Sequence, residues 1–600
     1  MNKYVLIVSV GPVQGFIASA RRSRDLWCGS WLLSEIAKAV ANYLWKQEGV
    51  DMVFPFAEDL AKKLEPKSDF SVGNKIQVQV SANHIEDVRT LAQQAANKAR
   101  ERFEQIAKEA LNKLGKQNIR TAIWDSQIND YVEVQSAWAK VQNEDYAQAS
   151  KEAAKWLAAR KATRDFAPSA TFANAKDFML PKSSLDGARE TVLPEGKMGQ
   201  GIRRKLGLSE SEQLDCAGIV KRLGGDTDQF TPVTRVAADS WLRMVAELDH
   251  QALAKLCQVY EALIPLDLAT RVKGNQKCYD TFPYDGQFLY RSRLEAEYLK
   301  ASEEEKQVLK QLKEELAPIW KRFGEPCAYY VTLLADGDRM GALLDQAKTI
   351  EDHQTITQHL SNFAGSVPDQ MRQYHAQCVY AGGDDVFGFV PLDKAVDCAE
   401  GLAEAFKQEL KKAADGLKIA ESNTPTLSVG LAICHINTPL GMVRSLAKKA
   451  EKEAKGDAYP EAQQRNALGI TLAVRSGSTN SMRIRWDDKE ALQAFEDWQA
   501  AYQEDTISSR IAYDCRAIFM ATDFPHCDDQ ELLNNIRKAE FKRMLEKART
   551  SSGRRLDKDM KSMLEARLGK LANLNHFATE LITARWLAAK QQKDLGKENS

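Results

Sequence analysis

The feature that most constrains the fold is a Gly-Gly-Asp-Asp turn, residues 382–385, between two short apolar runs. A tight turn flanked by such runs is typical of a β-hairpin. The glycines, Gly382 and Gly383, allow backbone conformations that other residues avoid and leave room for a large group to approach the turn. The next residues, Asp384 and Asp385, place two carboxylates at the hairpin tip. Their mutual repulsion favours a bound divalent cation at this position.

A second acidic segment, Asp336-Gly337-Asp338, ends a strand-like apolar run. Two acidic strand ends that meet in one sheet provide the carboxylates that a two-metal nucleotidyl-transfer site requires. We therefore predict that Asp336, Asp384 and Asp385 are the catalytic and metal-binding residues, and that the carbonyl of Gly337 assists them. We expect Asp338 to orient the turn beside the nucleotide, although the sequence leaves open that it is a ligand.

A nucleoside triphosphate needs cationic contacts in addition to metal ions, because phosphoryl transfer depends on neutralising charge around the reacting phosphate. The predicted helix that follows strand 426–434 is rich in lysine, and Lys455 at its C-terminal end is the preferred candidate for the triphosphate. The strand itself contains Ser428, a candidate for contact with base or ribose. The alternative for the lysines is an ordinary solvated helix face.

Length and composition describe a multidomain globular protein. At about 150 residues per domain, the 600 residues predict three to five domains. Lys plus Arg and Asp plus Glu number 83 each, so net charge neither favours nor excludes nucleic acid as a partner. The ten cysteines include no Cys-x-x-Cys pair, which favours a reducing, cytoplasmic location and no zinc site. We expect the N-terminal apolar run to be a core strand and no segment to span a membrane.

The pattern of apolar residues predicts an α+β multidomain fold. Residues 327–475 show strands and helices in the order of a ferredoxin-like βαββαβ unit, the arrangement of nucleotide-polymerising palm domains. The first part of the chain shows a similar β-α-β-β-α outline. The predicted domains are a first palm at 1–145, an inserted loop-rich module at 146–235, a helical domain at 236–325, a second palm/cyclase domain at 326–480 and a C-terminal helical domain at 481–600.

The order of these motifs resembles the large signature subunit of type III-B (Cmr) CRISPR RNA-guided effector complexes. The resemblance runs from residue 1 to about residue 480, and its most specific parts are the opening motif and the Gly-Gly-Asp-Asp core. The similar segments are the opening of the first palm at 9–27, the middle module at 184–190 and 214–222, the lead-in to the second palm at 282–286, and the catalytic core at 335–341 and 380–385.

That resemblance implies two facing palm domains with ATP held between them and Mg²⁺ or Mn²⁺ on the second palm. It implies a nucleotidyltransferase that converts ATP to cyclic oligoadenylate when the complex captures target RNA complementary to its guide. The implied partners are other Cmr-type subunits, CRISPR guide RNA and target RNA. Arg21, Arg22 and Arg24 are candidates for contact with nucleotide or a neighbouring subunit, and ordinary surface positions are the alternative.

The chain departs from the family pattern in two places. Many members begin with an HD nuclease domain that carries a His-Asp metal dyad, and this chain has no such dipeptide, so we expect no DNA cleavage by this subunit. Many members also carry a cysteine zinc cluster in the middle module. Here Ser183, Ser184 and a lone Cys216 occupy that region, so we expect no zinc ion.

Three other interpretations remain open from the sequence. A diguanylate-cyclase-like enzyme would share the palm and the turn, but such cyclases usually place Glu where this chain has Asp385. A catalytically silent scaffold subunit would have no need of Asp336, Asp384 and Asp385 together. Adenylyl transfer to another small-molecule acceptor stays compatible, because metal-binding acids activate the donor and say little about the acceptor.

Overall fold

The structure is a computed structural model of the 600-residue chain. It describes all residues except 164–179, 197, 210, 226–229, 273–276, 421–422, 475–478, 525–528, 551, 572 and 597–600. Residues 164–179 and a few shorter stretches of the predicted loop-rich module, together with the end of the chain, therefore lie outside the described residues. The described part is a mixed α+β structure with two β-sheets.

The first sheet has four strands in the order β2-β3-β1-β4, and each neighbouring pair is antiparallel. Its strands are β1 (Asn2–Gly11), β2 (Val50–Phe54), β3 (Lys75–Ala82) and β4 (Glu133–Lys140). The helices of this region are α1 (Gln14–Ala18), α2 (Ser23–Trp45), α3 (Leu60–Lys63), α4 (Ile85–Leu114), α5 (Thr121–Tyr131) and α6 (Tyr146–Ala162). The predicted N-terminal core strand is confirmed, because residues 4–10 of β1 are buried.

The middle of the chain and its C-terminal part are helical. The middle helices are α7 (Gln200–Lys205), α8 (Cys216–Leu223), α9 (Val233–Leu248), α10 (His250–Leu263), α11 (Arg291–Tyr298) and α12 (Glu303–Phe323). The second sheet follows them, and its helices are α13 (Met340–Leu344), α14 (Ile350–Gln373), α15 (Ala395–Gly416) and α16 (Leu440–Lys455). The C-terminal helices are α17 (Lys489–Gln503), α18 (Ser509–Ala521), α19 (Gln530–Lys547), α20 (Lys558–Lys570) and α21 (Leu574–Ala588). Among the helices that the structure describes, none is long and apolar enough to cross a membrane.

The second sheet has six strands in the order β10-β9-β8-β5-β7-β6. Its strands are β5 (Tyr329–Asp338), β6 (Gln377–Gly382), β7 (Asp385–Val390), β8 (Thr426–His435), β9 (Ala467–Leu472) and β10 (Asn480–Arg485). Neighbouring strands are antiparallel except for the parallel pair β8 and β9. Four of them, in the order β6-β7-β5-β8, repeat the order β2-β3-β1-β4 of the first sheet. The hairpin predicted around Gly-Gly-Asp-Asp is therefore confirmed as β6 and β7.

Three hydrophobic cores connect these parts. The first sheet shares a core with α8, whose Ile219 and Val220 are fully buried. One face of the second sheet packs with the C-terminal helices, and the other face packs with the middle helices through residues such as Phe389 and Trp241. Within the module predicted as loop-rich, 146–235, the structure describes α8 as a capped helix that belongs to the first core. Asp215 caps it by accepting a hydrogen bond from the Gly218 amide at 2.9 Å.

Two strands were absent from the sequence prediction, β4 and β10. Both lie at the edge of their sheet, and in each strand only one or two residues are buried. An edge strand tolerates polar residues because one of its sides has no neighbouring strand. Neither strand has the apolar run by which the edge strand β6 and the central strands were recognised.

Candidate active site

The register of the second sheet brings the two acidic segments together. Strand β5 lies between β8 and β7, and Ala335 pairs with Val386 next to the hairpin turn. Asp336 follows directly, and its carboxyl lies close enough to that of Asp385 to contribute to the raised pKa of Asp385. Asp384 occupies the turn and lies close enough to Asp336 for the two charges to interact. The three predicted acids thus meet at one end of the central strands.

The close approach of the turn to β5 depends on Gly337. A Cβ atom at this position would lie 2.6 Å from the Asp384 Cβ and 2.9 Å from the Met340 Cγ, so a side chain here would overlap the turn. The turn itself needs Gly383, which has a φ of 69°. A Cβ at Gly383 would meet nothing within 4 Å, so the space beside the turn is open.

The carboxyl groups of the turn hold protons more tightly than ordinary aspartates do. Burial, with a smaller contribution from the charge of Asp336, raises the pKa of Asp384 to about 6. Although Asp385 remains exposed, loss of hydration around its carboxyl raises its pKa to about 8, helped by the hydrogen bond with Asp336 and by both neighbouring charges. Like charges that crowd one position in this way favour a proton or a cation between them.

A cation is present at this position, and it belongs to the chain. The Lys455 ammonium group forms an ion pair with Asp336 and a second one with Glu451 at 2.9 Å. Burial alone would lower the pKa of Lys455, but its hydrogen bonds with the two carboxylates raise it above the usual value. Glu451 was not predicted as a site residue, although its spacing of four residues from Lys455 on a helix was a usable signal.

Helix α16 carries Lys455 to the sheet through two glycine contacts. A Cβ at Gly430 of β8 would overlap the backbone of Ala450 and Glu451, and one at Gly469 of β9 would overlap that of Ala450 and Ala454. The helix therefore lies directly on the backbone of these strands. This packing holds its C-terminal turn, with Lys455, beside the acidic strand end.

Asp338 and Ser428 belong to a buried network next to the acids. Asp338 is 2% exposed and accepts hydrogen bonds from Thr426 and Ser428 at 2.8 and 2.9 Å and from the Asn466 amide at 3.1 Å. Burial raises the pKa of its carboxyl. This arrangement agrees with an orienting role for Asp338. The predicted contact of Ser428 with base or ribose is not supported, because its side chain is fully buried and its hydroxyl donates to Asp338.

The acidic residues suit a divalent cation chemically, although their present arrangement is that of a lysine-neutralised site. Within the described ranges, no group of three or more His, Cys, Asp or Glu side chains is arranged to hold a metal ion. Burial and the crowding of carboxyl groups nevertheless raise the pKa values of Asp384 and Asp385. A hard cation with oxygen ligands relieves the same crowding of negative charge, so the donor set fits Mg²⁺ or Mn²⁺.

Two further features lie in the region of the first sheet, the arginines Arg21, Arg22 and Arg24 and a cavity. Arg24 donates to the carbonyls of Arg222 and Gly224 at 3.0 and 3.2 Å, so it anchors the end of α8 to α2, while Arg21 and Arg22 remain exposed. A cavity of about 690 Å³ lies at the end of β1 and is lined by residues that include Gly11, Phe16, Tyr131, Lys161 and Arg189. In strand order, β1 holds the position in the first sheet that β5 holds in the second. The cavity therefore lies at the strand end that corresponds to the acidic end of β5.

Comparisons with known proteins match both sheet regions. Residues 329–469 match the family described as Cas10/Cmr2, second palm domain, and residues 5–114 match the N-terminal family of the CRISPR-associated protein Cmr2. The CRISPR system Cmr subunit Cmr2 of Pyrococcus furiosus is 22% identical over 565 residues, which cover 80% of this chain and 63% of that protein. The chain therefore spans less than two thirds of the length of this curated relative.

Two solved structures share the fold. A chain from a type III-B Cmr-beta complex in the apo state matches with a TM-score of 0.66 and 12% identity, over 98% of this chain and 81% of that one. A chain from type III-B Cmr-beta bound to cognate target RNA matches with a TM-score of 0.61 and 12% identity, over 90% and 78% of the two chains. At this identity the similarity concerns the fold alone.

Proposed function

Because this chain belongs to the Cas10/Cmr2 family of large subunits from type III-B CRISPR systems, we propose that it is a metal-dependent nucleotidyltransferase that converts ATP to cyclic oligoadenylate. The observation that carries the proposal is that Asp336, Asp384 and Asp385 meet Lys455 at one end of the central strands of the second sheet. This end of the strands combines acidic metal ligands with a cation for phosphate, as phosphoryl transfer requires.

Each site residue has a separate task in this proposal. Asp336, Asp384 and Asp385, with the Gly337 carbonyl, would hold Mg²⁺ or Mn²⁺, which neutralises charge on the attacking and leaving oxygens when bound. With Asp336 holding such a cation, the Lys455 ammonium, still paired with Glu451, would be available to a phosphate oxygen. The open space beside Gly383 admits the nucleotide, and the buried network around Asp338 keeps the strand end in place.

We further propose that both sheets are ferredoxin-like palm domains. The support is the repeated strand order β2-β3-β1-β4 and β6-β7-β5-β8, which is that of a βαββαβ unit. The first palm lacks the acidic turn and would contribute the cavity at the end of β1 to nucleotide binding. The domain boundaries predicted from the sequence stay proposals, since the hydrophobic cores connect neighbouring parts.

The proposed partners are other Cmr-type subunits, a CRISPR guide RNA and complementary target RNA. Support comes from the family of both sheet regions and from the shared fold with a Cmr-beta chain whose complex holds cognate target RNA. In this proposal, the nucleotidyltransferase is active in the assembled complex after it captures target RNA.

The test is mass spectrometry of the products that the assembled, target-bound complex makes from ATP and from GTP in separate incubations. We expect cyclic oligoadenylate from ATP. Product from GTP alone would replace the proposal by a diguanylate-cyclase-like activity. Transfer of AMP to an added acceptor, without oligoadenylate, would replace it by adenylyl transfer to a small molecule, and no product from either nucleotide would leave a scaffold role.

A further inference from the structure

A closed loop, residues 456–466, joins helix α16 to strand β9 beside the candidate site. Its two ends are linked, because the Arg465 amide donates to the Lys455 carbonyl at 2.8 Å. The next amide, that of Asn466, donates to Asp338 at 3.1 Å. The loop is thus attached at one end to the lysine that pairs with Asp336 and at the other end to the buried acid beside it.

The side chain of Arg483 in β10 fixes this loop. Its Nε donates to the Ala454 carbonyl at 3.0 Å, and its Nη2 donates to the carbonyls of Gln463 and Arg465 at 2.7 and 3.1 Å. The first of these carbonyls lies in the last turn of α16, where helical partners run out. One guanidinium group therefore connects the end of the helix that carries Lys455 to the far end of the loop.

The same guanidinium group supports the ring of Tyr459, which lies in the loop. The Arg483 Cζ is 5.0 Å from the ring centroid, within range of a cation–π contact. A Cβ at Gly456 would lie 2.9 Å from the Arg483 Nε and 3.1 Å from the Tyr459 Cδ2, and the φ of Gly456 is 62°. Glycine is therefore required where the loop leaves the helix, and the ring packs against this glycine.

Tyr459 is held in place and yet exposed. Its carbonyl accepts a hydrogen bond from the Gln464 side chain at 2.8 Å, and its amide donates to Gly456 at 2.9 Å. Even so, 43% of the residue is exposed. An aromatic ring with a fixed position and free surface is suited to stacking with a nucleobase, since every base has a π-face.

We propose that Tyr459 stacks with the purine base of the nucleotide whose phosphates contact Lys455, and that Arg483 is the positioning residue for both side chains. This inference rests on the proposed function, because it places a nucleotide at Asp336 and Lys455. The ring packs against Gly456, the residue after Lys455, so an aromatic ring lies next to the residue whose ammonium group would contact the phosphates. Stacking alone favours purines over pyrimidines through ring area and does not separate adenine from guanine.

The test compares binding of ATP and of inorganic tripolyphosphate to the full-length chain by isothermal titration calorimetry in the presence of Mg²⁺. We expect Tyr459→Leu to weaken ATP binding about tenfold, which equals about 1.4 kcal/mol and lies within the range for loss of one stacked base. Tyr459→Phe should bind ATP within about twofold of the unmodified chain. Neither change should alter the affinity for tripolyphosphate, which has no base.

The positioning role of Arg483 has a different signature. Arg483→Met should weaken both ATP and tripolyphosphate binding, because the end of α16 with Lys455 and the loop lose a common anchor. The matched control is Tyr513→Leu, which removes a 48% exposed tyrosine in α18 and should leave both affinities unchanged. Unfolding curves of each variant identify any that fail to fold. If Tyr459→Leu does not fold, binding of ATP and of UTP to Tyr459→Phe is compared instead, and UTP should bind more weakly than ATP.

The outcomes separate the two proposals. If the unmodified chain binds ATP and Tyr459→Leu binds it equally well, or if tripolyphosphate binding falls in parallel, the stacking role is overturned and the proposed function stands. If neither the unmodified chain nor the assembled, target-bound complex binds ATP or GTP, the proposed function itself is overturned, and the stacking role with it.

Discussion

The Lys455 ammonium group pairs with the Asp336 carboxylate at the acidic end of the central strand β5. The lysine reaches this position because Gly430 and Gly469 let its helix lie on the strand backbone. Lys455 was predicted from the sequence as a phosphate contact, and Asp336 was predicted as a metal ligand. Their ion pair makes the lysine a competitor for any cation that binds the acids.

Replacement of Lys455 should change metal and nucleotide affinity in opposite directions. Lys455→Met should strengthen Mn²⁺ binding by up to about fivefold, since a partly exposed ion pair is worth up to about 1 kcal/mol, and should weaken ATP binding. Mn²⁺ affinity is measured by electron paramagnetic resonance and ATP affinity by calorimetry. The control is Lys448→Met, an exposed lysine on the same helix, which should alter neither. Weaker Mn²⁺ binding in Lys455→Met would contradict the competition.

The raised pKa values of the turn carboxyls predict a pH-dependent stability. A carboxyl whose pKa is higher in the folded chain contributes stability at low pH, and this contribution is lost as pH rises through the folded pKa, here about 6 for Asp384 and about 8 for Asp385. Asp385→Asn removes one of the repelling charges. In metal-free buffer its melting temperature should exceed that of the unmodified chain at pH 9, by on the order of a few degrees.

That difference should be smaller at pH 5, where the folded carboxyl is protonated while the unfolded one, with an ordinary pKa of about 3.9, is mostly ionised. Thermal unfolding followed by circular dichroism at both pH values provides the measurement. Asp51→Asn, at an exposed position of β2, serves as the control and should show no such pH dependence. A variant that is less stable than the unmodified chain at pH 9 would show that Asp385 is not under charge repulsion.

The glycine contact between α16 and the sheet predicts a stability effect with a sharp control. Gly430→Ala should destabilise the chain by about 1–3 kcal/mol, because its Cβ would overlap the backbone of Glu451. Gly441→Ala, in the same helix, meets nothing within 4 Å and should be neutral or stabilise by up to about 1 kcal/mol. Urea unfolding measures both. Equal effects of the two changes would argue against the close helix–sheet packing.

The strands that carry the acids could be predicted from the sequence because they depend on local signals. The β6–β7 hairpin follows from two apolar runs around a glycine-rich turn, and the end of β5 follows from an apolar run that stops at Asp336. Strands β4 and β10 gave no such signal. The burial of Ser428 under Asp338 depends on the pairing of β5 with β8, and a strand pattern alone does not tell which side chains the neighbouring strand covers.

The positions of Tyr459 and Arg483 could also not be predicted from the sequence. Arg483 lies in an edge strand that was not predicted, and its three carbonyl partners come from two other segments. Single exposed tyrosines and arginines are common on protein surfaces, so neither residue stands out without the contact between them.

The most direct test of the active-site assignment is oligoadenylate synthesis by the assembled, target-bound complex with the combined change Asp384→Ala and Asp385→Ala. The account predicts that mass spectrometry detects no nucleotide product from ATP, while complex assembly and guided RNA binding remain intact. Synthesis by this variant at the rate of the unmodified complex would contradict the assignment of the catalytic site to the acidic end of strands β5 and β7.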